Sequence, residues 1–136
     1  MLKTLILVAA LLYVPPVSAD PIIGPVSRIR DGDTFLIGNQ PIRLCGIDAP
    51  EKRQRGGDAA TAYLRQLTKG KSLRCIPVTE GTVCDGRSRR TNYDRIVAQC
   101  FIQGRDLAMM LVRARHACDW PKFSGGHYRI VGGCSK

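Results

Sequence analysis

The sequence predicts a β-rich α+β domain, a five-stranded Greek-key barrel of the OB type with two main helices and a short C-terminal tail. Three observations carry this. Five short runs have the alternation or the β-branched content of strands. One helical stripe follows the third run and a second follows the fifth. The 136 residues suffice for one domain with a small core, and no repeat, linker or low-complexity tract divides them.

The elements follow in chain order. Residues 1–19, MLKTLILVAALLYVPPVSA, carry one basic residue, Lys3, then an apolar run from Leu5 to Val14 and small residues up to Ala19. This is the anatomy of a secretory signal peptide cleaved after Ala19. A membrane anchor is disfavoured because Pro15 and Pro16 cut the run short of the ~20 residues a span needs. The domain is then residues 20–136. Pro25 to Arg30 alternates as a strand, Thr34 to Ile37 is a second, and Gly38-Asn39 turns into a third from Pro41 to Ile47. Asp58 is placed to cap a helix whose stripe is Ala60, Leu64 and Leu67, with Gly70 as its exit. Ser72 to Val78 and Arg95 to Ile102 supply two more strands around a polar loop, TEGTVCDGRSRRTNYD. A second helix opens at Asp106, with Leu107, Met110, Leu111 and Ala114 in register, and fades near His116.

Charge and cysteine content narrow the function. Lys and Arg number 21 against 11 Asp and Glu, a formal charge of +10. Such a surplus favours polyanionic partners such as nucleic acid, anionic lipid or acidic polysaccharide, with mere solubility as the plain alternative. The six cysteines, Cys45, Cys75, Cys84, Cys100, Cys118 and Cys134, suit an exported protein. None forms a C-x-x-C pair, and only His116 and His127 could add imidazole, so disulfides are expected and a zinc site is not.

Acids are scarce, yet several fall in DGDTFLIGNQPIRLCGIDAPE at 31–51. Asp33 precedes one strand and Asp48 follows the next, so antiparallel pairing would bring their regions together. Two carboxylates, a backbone carbonyl and water suit a hard cation such as Ca²⁺ in an open site. The EF-hand pattern is absent. Glu51, beyond Ala49-Pro50, is placed to accept a proton from the water of a metal bound by Asp48. Arg43 and Arg95 are candidate phosphate clamps, because guanidinium groups pair bidentately with phosphate oxygens. Plainer readings exist for each: D-G-D-T is a common turn, Asp48 to Glu51 resembles a helix start, and Arg43 has Asp48 as an internal partner.

At these residues the chain resembles the staphylococcal nuclease (thermonuclease) family. The matching segments are Asp31-Gly32-Asp33-Thr34, Arg43-Leu44 leading to Gly46-Ile47-Asp48-Ala49-Pro50-Glu51, Tyr93-Asp94-Arg95, and Leu111-Val112-Arg113. The likeness runs roughly from Val26 to His116. It implies an OB-fold barrel and a Ca²⁺-dependent phosphodiesterase that cuts DNA and RNA to 3′-phosphate products. It also implies Ca²⁺ ligation by Asp33, Asp48 and the Ala49 carbonyl, water activation by Glu51, phosphate binding by Arg43 and Arg95, and a substrate contact by Tyr93. Two departures stand out. Asp94 takes a place the family usually gives to glycine, and the family usually continues with a third amphipathic helix where this chain has a Gly- and aromatic-rich tail. Cys118 and Cys134 are expected to staple that tail, and Cys75 and Cys100 to bridge the strands flanking the basic loop. Cys45 and Cys84 have no assigned partner.

Gly86 to Tyr93 sets Arg87, Arg89 and Arg90 beside a tyrosine, which reads as a phosphate-tracking loop or as an ordinary solvated charge run. Arg89 and Arg90 are its substrate-contact candidates, and Lys52-Arg53-Gln54-Arg55 is a second basic strip. Packing of the tail is the expected role of Trp120 and Tyr128, with base stacking as the alternative. The leading expectation is an exported, periplasmic or secreted, monomeric nuclease acting on DNA and/or RNA, free of the membrane after signal cleavage. The alternatives are a nucleic-acid-binding OB module without activity and a disulfide-stapled basic toxin or inhibitor. Glu51→Gln and Arg43→Ala are each expected to cut turnover by orders of magnitude with the fold intact.

Overall fold

The computed structural model describes residues 12–13 and 19–136. Most of the expected signal peptide therefore lies outside the described residues. In chain order the first elements are β1 (Ile22–Asp31), β2 (Thr34–Ile37), β3 (Gln40–Leu44), β4 (Ile47–Asp48) and α1 (Gly57–Thr68). They are followed by β5 (Ser72–Pro77), β6 (Thr91–Asn92), β7 (Arg95–Ile102), β8 (Arg105–Asp106), α2 (Leu107–Arg113), β9 (Cys118–Asp119) and the single turn α3 (Pro121–Ser124).

Five of these strands close a barrel. β1 pairs antiparallel with β2 and with β5, β2 pairs with β3, and β5 pairs with β7. The ring closes where β3 runs parallel to β7, setting Ile42, Arg43 and Leu44 against Ile96, Val97 and Ala98. Alternation along these strands sorts side chains to two faces. Phe35, Ile42, Leu44, Leu73, Ala98 and Ile102 fill the interior, where Leu64 of α1 and Leu107, Leu111 and Val112 of α2 join them. Cys45, Val78, Cys84 and Val97 form a smaller cluster outside the barrel, against Phe123.

The expected five-stranded OB barrel is therefore the observed one, with local differences. The third strand stops at Leu44, and the chain bends through Gly46 before β4. The first helix is preceded by Gly56 in the left-handed region (φ 81°), and Asp58 sits in the first turn without capping. Asp106 does cap the second helix, accepting from the Ala108 and Met109 N–H groups at 2.9 and 3.3 Å. Its other oxygen accepts from Gln99 and from the hydroxyl of Tyr128, which is wholly buried. The tail is thus docked into the core through Tyr128.

All six cysteines are paired. Cys75–Cys100 joins β5 and β7 directly across their register, and Cys118–Cys134 staples the tail, as expected. The unassigned pair is Cys45–Cys84, which ties the end of β3 to the basic loop.

Candidate active site

Asp33 lies at the corner between β1 and β2. Its own N–H donates to Asp31 Oδ1 at 3.1 Å, so the first aspartate of D-G-D holds the turn and the second faces inward. Gly32 lets this corner close down. A Cβ added there would lie 2.8 Å from that of Ala60 on α1 and 2.9 Å from that of Ala49. Asp33 is 4 % exposed. One of its oxygens accepts from the Thr34 hydroxyl at 2.9 Å, the other from the Ala49 N–H at 2.8 Å. Burial pushes its carboxyl up to about 7, and the Arg43 guanidinium opposes that rise without cancelling it.

Arg43 reaches this corner because β2 and β3 pair with Thr34 opposite Arg43. Its Nη2 is 3.2 Å from Asp33, 3.6 Å from Asp48 and 2.9 Å from the Ile47 carbonyl, while Nη1 donates to the Leu44 carbonyl at 2.6 Å. One guanidinium nitrogen thus lies between the two carboxylates expected to bind metal. Asp48 is in β4, held by β9 through the pairing of Asp48 with Cys118. Its second oxygen is 2.7 Å from Nζ of Lys136.

Among the described residues, no three His, Cys, Asp or Glu side chains gather into a metal-binding cluster. Asp33 and Asp48 nevertheless share one donor, and Ala49 lies against Asp33. Such an oxygen-only, acid-poor set fits a hard divalent cation that keeps most of its shell as water.

Glu51 is exposed on the rim, in the loop between β4 and α1. Its N–H donates to Gln54 Oε1 at 2.9 Å, and its carbonyl accepts from the Gln54 N–H at 2.8 Å. Gly57 packs on that same carbonyl so closely that a Cβ would fall 1.9 Å from the oxygen. Any side chain there would lift the Glu51 loop away from the helix.

Beside Arg43 opens a cleft of about 560 Å³, lined among others by Arg87, Arg89, Tyr93, Trp120 and Phe123. Arg87 leans over α3, close enough that a Cβ on Gly125 would meet its guanidinium at 2.7 Å. Arg90 turns aside and donates to the Val78 carbonyl at 3.2 Å, bracing the loop. Tyr93 has φ 58° and is 95 % exposed at the tip of the β6–β7 hairpin. Asp94, the departure from glycine, forms a forked ion pair with Arg30 of β1 at 3.0 and 3.4 Å. Arg95 lies two residues before Val97, the register partner of Arg43, and so on the same outward face. Its Nε is 3.4 Å from the Asn92 carbonyl, and its side chain is outside the cleft lining.

The structure therefore brings Asp33, Arg43, Asp48 and Ala49 together and sets Arg89 and Tyr93 at the adjoining cleft. It leaves Glu51 on the rim, Arg90 on the backbone and Arg95 on its own turn. Lys136, Trp120, Arg87 and Cys45–Cys84 escaped sequence reasoning as parts of the site. Arg87 had a signal in its place in the basic loop, and Trp120 in the capacity of its ring to stack on a base.

The family model described as staphylococcal nuclease homologue matches residues 41–124. An Escherichia coli protein named as an uncharacterized endonuclease is 33% identical over 114 residues, covering 80% of this chain and 68% of its own. A Haemophilus influenzae protein of the same name is 30% identical over 104 residues, 73% of this chain and 53% of that one. Protein ParB of Escherichia coli is 45% identical over 68 residues, 47% of this chain and 38% of that one. The match takes in Arg43, Asp48, Glu51 and Arg95 as well as most of the barrel, and the chain belongs to the staphylococcal nuclease family.

Proposed function

We propose that this protein is an exported, Ca²⁺-dependent nuclease that hydrolyses phosphodiesters of DNA and/or RNA to a 3′-phosphate and a 5′-hydroxyl. The observation that carries this reading is Arg43 poised between Asp33 and Asp48 at the mouth of an arginine-lined cleft. The endonuclease names of its relatives support the same reaction class.

The residues divide the work. Arg43 binds and neutralises a non-bridging phosphate oxygen, and Arg95 supplies a second guanidinium once its side chain turns from the Asn92 carbonyl toward the cleft. Asp33, Asp48 and the Ala49 carbonyl would hold a divalent cation, which would supply positive charge at the phosphate and favour deprotonation of water there. Glu51 accepts the proton of the attacking water. The new P–O bond forms as the P–O5′ bond breaks, and the departing 5′-oxygen takes up a proton from solvent. Arg89 and Tyr93 hold the neighbouring nucleotides by phosphate contact and stacking.

Residues 1–19 serve as the signal peptide, and the mature protein, residues 20–136, is a monomer delivered to the periplasm or the medium. Among the described residues, no helix is long and apolar enough to cross a membrane. The test is incubation of the protein with DNA and with RNA, in Ca²⁺ or in chelator. Cleavage in Ca²⁺ alone is the expected result. Equal cleavage in chelator overturns the cation scheme. Salt-sensitive binding without cleavage in either condition replaces the enzyme with a binding module, a reading favoured by the internal bonds that already engage Arg43.

A further inference from the structure

Lys136 is the unassigned charge nearest the acids of the site. Its Nζ is 2.7 Å from Asp48 Oδ2 and 5.8 Å from the centre of the Trp120 ring. The ammonium thus pairs directly with one of the carboxylates assigned above to cation binding.

This placement is built. β9 pairs with β4, setting Cys118 opposite Asp48. The tail returns along the other side of β9, where the Asp119 N–H donates to the Cys134 carbonyl at 3.2 Å and the Lys136 N–H donates to the Asp119 carbonyl at 2.9 Å. The Cys118–Cys134 disulfide locks that return, and Arg115 donates to the Gly132 carbonyl further back. A strand bearing Asp48, a strand stapled by Cys118 and a tail bearing Lys136 thus form one ribbon, and the lysine reaches back across it. Its side chain is 55% exposed, so the pair is in contact with water and open to exchange.

We propose that Lys136 is a resident counter-ion of the Asp48 pocket, which a divalent cation must displace in order to bind. The inference rests on the reading of Asp48 as a cation ligand. A single ammonium neutralises one carboxylate, whereas a divalent ion would draw on both Asp48 and Asp33 and would gain more from the site. Exposed ion pairs are weak, so the competition corresponds to a factor of about two to five in cation affinity. The disulfide keeps the lysine at hand, so it returns when the cation leaves.

The experiment is calorimetric titration of the full chain with Ca²⁺, alongside Lys136→Gln and Lys136→Arg. Trp120, the single tryptophan, gives a second readout, because it loses the overlying ammonium as the cation binds. The expected result is Ca²⁺ binding about two- to five-fold tighter in Lys136→Gln and close to wild type in Lys136→Arg. A Ca²⁺-dependent change in tryptophan emission is expected in the wild type and not in Lys136→Gln. Equal or weaker binding by Lys136→Gln overturns the inference and leaves the cation site standing. Absence of Ca²⁺ uptake by every form, matching an Asp48→Asn control, removes the cation reading and the inference with it.

Discussion

The acid corner and the basic hairpin meet at the same cleft but are built to opposite plans. At the corner, Asp33 is buried, both its oxygens have donors, and Arg43 is engaged by two carbonyls and two carboxylates. Along the hairpin, Tyr93 projects into solvent, Arg89 lines an open cleft, and the tip is tied down by an exposed ion pair. The corner is organised before substrate arrives, as stabilisation of developing charge requires. The hairpin leaves Arg89 and Tyr93 open to a flexible polyanion, while Arg90 and Arg95 bond to its own backbone. Preorganisation and capture are assigned to different strands of one seam.

The largest test of this contrast compares two substitutions within the site. Glu51→Gln is expected to lower turnover by about a hundredfold or more with little change in melting temperature, since the Glu51 side chain is exposed and only its backbone is structural. Arg43→Ala is expected to lower turnover by at least as much and also to destabilise the fold by about 3 kcal/mol, because it strands the buried Asp33 and two carbonyls. Sequence reasoning expected both variants to keep the fold; the bonds around Arg43 revise that for one of them. Denaturant melts beside single-turnover rates separate the two, and equal stability would show that the corner is not preorganised through Arg43.

Next in size is the staple between the regions. Replacing Cys45 and Cys84 together by serine is expected to cost roughly 2–4 kcal/mol of stability and to raise KM by loosening the arginine loop, while the barrel still closes. An unchanged KM would place the loop outside substrate binding. A smaller effect is expected for Arg89→Ala: a KM raised several-fold, kcat unaltered, and a salt dependence of binding reduced by about one counter-ion. A fall in kcat instead would move Arg89 from capture to chemistry.

The smallest effect is expected at the hairpin tip. The Arg30 guanidinium holds the Asp94 carboxyl below its ordinary value of 3.8. A depressed carboxyl adds stability above that pH and loses it as acidification protonates the folded form. Asp94→Asn should therefore melt slightly below the wild type at neutral pH, and the two curves should merge in acid. The pair is in contact with solvent, so salt should erase the difference as well. A gap that survives both treatments would point to the Tyr93 turn itself.

The barrel and the acid corner were legible because their signals are local. Runs of strand-forming residues marked β2 and β7 to the residue, and their place in the two strands flanking the basic loop suggested the pairing of Cys75 with Cys100. The helix start was misread at Asp58 because a left-handed glycine leaves no side-chain signature. Cys45–Cys84 and Lys136–Asp48 were invisible for another reason. Each joins segments far apart in the chain, across a seam whose register no short pattern encodes. The inward bonds of Arg43 were likewise hidden, since a guanidinium reads the same whether it waits for phosphate or holds a turn.

The parallel pairing of β3 with β7 has one more consequence, for folding and its timing. These strands are separated by a helix and three strands, so their contact is costly in chain entropy and belongs among the slower steps of closure. The strands bearing Arg43 and Arg95 become neighbours only through this contact. A newly made chain holds every acid and arginine of the site yet has no assembled cleft, so nuclease activity is a property it acquires only with the completed barrel.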